Sequence, residues 1–165
     1  MEATDRAKSV PPKTLVLGVG NLLLSDEGVG VHVARELMEM KLPPGVSVVE
    51  GGTGGLSLLP LIQGAERLIV IDAVKGEEAP GTVYRFDMDE IRDRGCGLIT
   101  SVHSLGIREV LDLSALTGKE RHATVIGIEP KSMEIGIELS DEVKAKMPLI
   151  LHMVLQELQL AANHR

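Results

Sequence analysis

The chain has 165 residues, 44% of them hydrophobic and 25% charged, with a formal net charge of -7. That is one domain's length, enough for a real core, and the acidic balance argues against a general nucleic-acid binder, whose affinity rests on Lys and Arg against phosphate. A single cysteine, Cys96, rules out an internal disulfide and a multi-cysteine zinc site and points to a reducing compartment, the cytoplasm.

Residues 1–12, ending in Pro11-Pro12, read as a disordered leader without the apolar stretch of a signal peptide. The rest, 13–162, reads as one domain. TLVLGV (14–19) suits a buried parallel strand. From Ser25, the residues Val29, Val33, Leu37 and Met40 recur at helical spacing, with Ser25 as N-cap and Asp26 and Glu27 against the positive helix end. Pro43-Pro44-Gly45 stops that helix. VSVVE (46–50) is a second strand running into GGTGG, and LSLLPLIQ (56–63) a short helix. RLIVIDAV (67–74) is the third and most apolar strand, and TVYRF (82–86) the fourth. Residues 88–97 hold one helical turn, 103–116 a helix, and HATVIGIE (122–129) the fifth strand. A long helix runs from Ser140 to about Ala162, kinked at Pro148. No stretch reaches the roughly 18 consecutive apolar residues of a membrane span. With one Tyr, one Phe and no Trp, the core is left to Val, Ile, Leu, Ala and Met.

Strands alternating with helices predict an α/β three-layer domain with a mostly parallel, twisted five-stranded sheet. Ligands of such sheets bind beyond the C-terminal ends of the strands. Three features fall there: the loop with Glu27, the GGTGG turn, and Asp72. The loop is a poor nucleotide site. Gly18 and Gly20 start a G-x-G-x-x-G pattern, but its third position is Leu23, and two acids follow where a phosphate would sit. A Walker loop fails as well, since Gly118-Lys119 is followed by Glu120 and position 113 is not Gly.

Carboxylates at sheet ends otherwise hold a cation or move a proton. In a 2-1-3 strand order Glu27 and Asp72 are neighbours, and a histidine would complete an O,O,N set suited to nickel, zinc or manganese. His103, in SVHSLG after a loop, is the best placed of the five. His32 and His152 lie on helices, where packing or surface roles are commoner, and His164 is in a tail. Glu27 also has a plain role as a helix-dipole partner, and Asp72 as a cap. With 45 and 31 positions between the three, spacing does not decide among these roles. The residues alone lead to an α/β domain with an acidic site at its strand ends.

VLGVGNLLLSDEGVGV, GGTGG, IVIDAV, APGTVYRF, SVHSLG and IGIEP, in this order, resemble the NiFe-hydrogenase maturation endopeptidases over about residues 13–160. The resemblance implies a protease that removes a short C-terminal extension from the NiFe-hydrogenase large-subunit precursor once nickel is in place. Its metal-engaging and catalytic positions carry over to Glu27, Asp72 and His103, with nickel supplied by the precursor. It also implies that a water is activated without a serine or cysteine nucleophile, leaving Cys96 an incidental thiol. Glu50 departs from the Asp usual before the GGT turn and takes no sharp role, while Gly51–Gly55 are expected to leave room for substrate. Specificity is expected in loops 75–81 and 87–102. The chain is read as a monomer without nucleic-acid partners. The alternative is a non-catalytic nickel-binding maturation factor on the same fold.

Overall fold

The computed structural model describes residues 13–88, 115–116 and 122–163. The leader over 1–12, the turn expected within 88–97 beyond residue 88, Cys96, His103, His164 and all of the expected 103–116 helix except Ala115 and Leu116 lie outside the described residues.

Five strands form one sheet: β1 (Thr14–Val19), β2 (Val46–Gly52), β3 (Arg67–Ala73), β4 (Val83–Asp87) and β5 (His122–Ile128). Their order is β2-β1-β3-β5-β4, parallel throughout except for antiparallel β4 at the edge. The expected 2-1-3 order is therefore present, with β1 between β2 and β3. The inner strands β1, β3 and β5 are apolar along nearly their whole length because both faces are covered. On one face, Val16, Ile69, Ile71, Ile126 and Ile128 pack under α1 (Val29–Met38) and the C-terminal helix. On the other, Leu15, Leu17, Leu68 and Val70 pack against Leu58 and Ile62 of the short α2 (Leu59–Gly64) and the turn before it.

Two helix starts differ from expectation. Ser25 is not an N-cap. Residues Ser25–Gly28 form a tight 3-10 turn, α1 begins at Val29, and the Ser25 hydroxyl donates to the carbonyl of Glu134. Val29, Val33 and Leu37 are buried as the spacing predicts, but Met40 lies beyond the helix end and is exposed. The second difference is at Pro148. The chain from Ser140 does not run as one kinked helix. It forms a single turn, α3 (Asp141–Lys144), then restarts as α4 (Met147–Asn163). Pro148 sits in the first turn of α4, where its missing N–H has no intrahelical partner to lose, so nothing bends. Ser140 is a true N-cap, its hydroxyl accepting from the Val143 amide at 3.4 Å.

α4 is tied to the sheet by a charge cluster at the end where β3 begins. Glu157, buried on α4, accepts from the Arg67 guanidinium at 2.8 Å and from Nε of Arg85. Arg85 also reaches Asp87, which accepts in turn from the buried Thr124 hydroxyl and lies 3.4 Å from His122. Removing one partner of such a group strands the other charge. Glu157→Gln is expected to lower unfolding stability by about 3–5 kcal/mol in urea titrations, because Arg67 stays largely buried. A loss below about 1 kcal/mol, the range of exposed pairs, would show that the cluster is solvated.

Candidate active site

The strand C-termini of β1 and β3 meet the 3-10 turn that carries Asp26 and Glu27. Glycine sets how close they come. A Cβ on Gly30 would stand 2.2 Å from the carbonyl oxygen of Ile71 and 2.3 Å from that of Val19, so α1 lies directly on the ends of both strands. Gly20 has φ +133, and a Cβ there would be 1.8 Å from the carbonyl oxygen of Glu27. The glycines of the loop thus serve backbone contact between strand, turn and helix. The Asn21 side chain supports the bend by accepting from the Leu23 amide at 2.9 Å.

The two acids of the turn do different work. Asp26 is fully buried and points away from solvent into the segment before α3. Its carboxylate accepts from the amides of Lys131 (2.9 Å), Ser132 (3.0 Å) and Ser140 (2.7 Å), and from the Ser140 hydroxyl (2.7 Å). The Asp26 amide donates back to the carbonyl of Ser132 at 3.1 Å. One carboxylate thereby joins the first turn of the site to a segment more than a hundred residues later. Glu27 is 2% exposed and lies in the same turn, which packs against β3. Asp72, 8% exposed, is the penultimate residue of β3, next to the Ile71 carbonyl that Gly30 touches. Glu27, in the turn that follows β1, and Asp72, near the end of β3, are thus both placed at the C-terminal end of the sheet, at two adjacent inner strands. Among the described residues no group of three or more His, Cys, Asp or Glu is gathered as a metal site. His103, the expected third member, lies outside them.

Glu50 is placed elsewhere. It faces α1, where Arg35 donates to both of its carboxylate oxygens, at 3.1 and 3.2 Å. Both side chains are well exposed, so the pair contributes at most about 1 kcal/mol. With Glu36, Met38 and Glu39 it lines a shallow groove of about 320 Å³ at the far end of α1. The following glycine turn is closed by the Gly54 amide donating to the Gly51 carbonyl at 2.9 Å. In front of Gly52 a Cβ would meet no described atom within 4 Å, which leaves open space beside the strand ends.

A further buried acid at these strand ends, beyond Asp26, Glu27 and Asp72, escaped the sequence reading. Glu129 directly follows β5 and accepts from the Gly76 amide at 2.6 Å and the Tyr84 hydroxyl at 2.7 Å. It ties down the loop that leaves β3 just after Asp72. The available signal was an acid closing an apolar strand, as Asp72 does, in IGIEP. Burial first, then the bond to Glu129 and its charge, push the Tyr84 phenol up to about 12. In the unfolded chain an ordinary phenol titrates near 10. This contribution to stability is therefore present below about pH 10 and is lost as pH rises toward about 12. Tyr84 is the only tyrosine and there is no Trp, so phenolate absorbance reads this group alone. The folded protein should show a midpoint near 12, and Glu129→Gln should move it toward the ordinary value. A midpoint at about 10 in the folded parent would mean the bond to Glu129 is not formed.

The family model for hydrogenase maturation proteases matches residues 31–157. The chain is 36% identical over 150 residues to the hydrogenase 2 maturation protease of Escherichia coli, covering 89% of this chain and 91% of that protein. It is 38% identical over 148 residues to the hydrogenase expression/formation protein HoxM of Azotobacter vinelandii, covering 88% and 72%. In structure it resembles the hydrogenase maturating endopeptidase HybD of Escherichia coli, with a TM-score of 0.81, 36% identity, and coverage of 90% and 93%. A NiFe-hydrogenase maturation protease of Thermococcus kodakarensis superposes with a TM-score of 0.76 at 33% identity, covering 88% and 99%. The family model covers most of the chain, and the five-stranded, mostly parallel fold is shared with relatives over most of their length; the chain belongs to the hydrogenase maturation protease family.

Proposed function

We propose that this protein is the endopeptidase that removes the C-terminal extension of a nickel-loaded NiFe-hydrogenase large-subunit precursor, acting in the cytoplasm as a monomer. The observation that carries this reading is the pair of buried acids, Glu27 and Asp72, at the C-terminal end of two adjacent inner strands on a fold shared with maturation proteases. The single cysteine agrees with a reducing compartment, and no described helix is long and apolar enough to cross a membrane.

Peptide hydrolysis needs a water to lose its proton as its oxygen attacks the carbonyl carbon, and the leaving amine to gain one. A buried carboxylate at the strand ends serves as that general base, and the protonated acid can return the proton to the amine. The nickel belongs to the substrate: engaged by Glu27, Asp72 and His103, it marks a precursor ready to be cut and adds Lewis acidity near the carbonyl.

The reading is tested by mixing large-subunit precursors from the same organism, with and without nickel, with the protein and weighing the products by intact mass spectrometry. One nickel-loaded precursor should lose a short C-terminal peptide while its metal-free form stays whole. Asp72→Asn should fold and leave the loaded precursor uncut. Cutting by this variant at the parent rate would remove Asp72 from the site.

A further inference from the structure

Three large aliphatic side chains stand in water beside the loop that carries Glu27. Leu23 is 64% exposed, Ile135 92% and Ile137 66%. A short parallel bridge between Leu24 and Gly136 brings them together, with the Gly136 amide donating to the Leu23 carbonyl at 2.9 Å and the Ser25 amide to the Gly136 carbonyl at 2.8 Å. Residues flanking a bridged pair share one face. Leu23 therefore lies beside Ile135, and Ile137 continues the strip.

This strip is held, not loose. Ser25 Oγ bonds the Glu134 carbonyl, and the buried Asp26 fixes the segment on both sides through Lys131, Ser132 and Ser140. Single exposed aliphatics are ordinary. Three fixed on one backbone framework form an apolar surface of the kind that marks a contact site. It is continuous with the active site, because Leu24 leads straight into the turn and its carbonyl accepts from the Glu27 amide at 3.1 Å. Glu134 and Glu138 bracket the two isoleucines in sequence, both well exposed, with Glu138 already 3.4 Å from Lys144 Nζ.

We infer that Leu23, Ile135 and Ile137 form a docking strip for the precursor polypeptide, taking apolar side chains flanked by lysine or arginine near the scissile bond. The inference rests on the proteolytic reading above: the substrate is a polypeptide, and its chain must run past this loop to bring a bond to Glu27 and Asp72. The apolar centre suits apolar side chains, and the exposed Glu134 carboxylate suits a basic neighbour.

The test uses the paired change Ile135→Ser with Ile137→Ser, both on outward side chains, in the full chain. The melting temperature should stay that of the parent. In the precursor assay KM should rise by about tenfold or more, with the loss falling on KM and not on kcat. Ile135→Leu with Ile137→Leu should restore it. A serine pair with parental KM overturns the inference. If the serine pair instead converts a parental dimer to monomer in sedimentation and KM is unchanged, the strip joins copies of this chain and the inference is wrong. Binding is read separately with a fluorescein-labelled peptide spanning the precursor's cleavage site. Weaker anisotropy binding by the serine pair supports docking even if the parent fails to cut, which would fault the proteolytic reading alone. Equal binding overturns docking whatever the cleavage result.

Discussion

The carboxylate of Asp26 is the interaction on which the site depends. It is fully buried and takes four donors, three backbone amides and one hydroxyl, all from the stretch 131–140. A buried carboxylate is costly unless its oxygens are satisfied, and charge-assisted bonds are the strong ones. Satisfying it fixes three things together. The 3-10 turn is held at the ends of β1 and β3, the 131–140 segment is laid along that turn, and the Ser140 hydroxyl that serves Asp26 also caps α3. Glu27, the next residue, is thereby presented from a braced turn instead of a free loop.

The glycines complete this arrangement from the other side. Gly30 lets α1 rest on the carbonyls of Ile71 and Val19, and Gly20 lets the chain pass under the Glu27 carbonyl. The acids arrive at the C-terminal end of the sheet because backbone meets backbone there with no side chain between. At the other end of the sheet, the Glu157 cluster holds α4 against β3 and β4. The protein thus separates its charges by role: one group of acids spans layers, and another stands at the strand ends. Glu129 belongs to the second group, clamping the loop after Asp72 at the end of β5.

Much of this was legible in the chain. The apolar runs of β1, β3 and β5 announce buried parallel strands, and the 2-1-3 neighbourhood of Glu27 and Asp72 follows from common topology. Glu27 and Asp72, expected from the strand ends and again from the family resemblance, are both buried at the C-terminal end of the sheet, while His103 falls outside the described residues. What local pattern could not give was partnership at long range. Ser25-Asp26-Glu27 and Ser140-Asp141-Glu142 read alike as helix starts, yet only Ser140 caps, because the first serine is drawn to the Glu134 carbonyl more than a hundred residues away. Pro148 looked like a kink because periodicity runs through it, and the break at Ala145–Lys146 moves it into a first turn where it is harmless. Asp26 and Glu27 are the clearest case. Adjacent and chemically alike, they are told apart by what the folded chain brings to each: the 131–140 segment supplies four donors to Asp26, while Glu27 lies in the same turn where it packs against β3.

A direct measurement of that division is to compare Asp26→Asn with Glu27→Gln, each by thermal melting and by processing of the nickel-loaded precursor. An amide at position 26 sets its own N–H against donors that need an acceptor, so Asp26→Asn should lose about 3 kcal/mol or more of stability. Glu27→Gln should melt near the parent temperature and release no C-terminal peptide. The account is contradicted if Glu27→Gln still processes the precursor at the parent rate, or if Asp26→Asn melts with the parent.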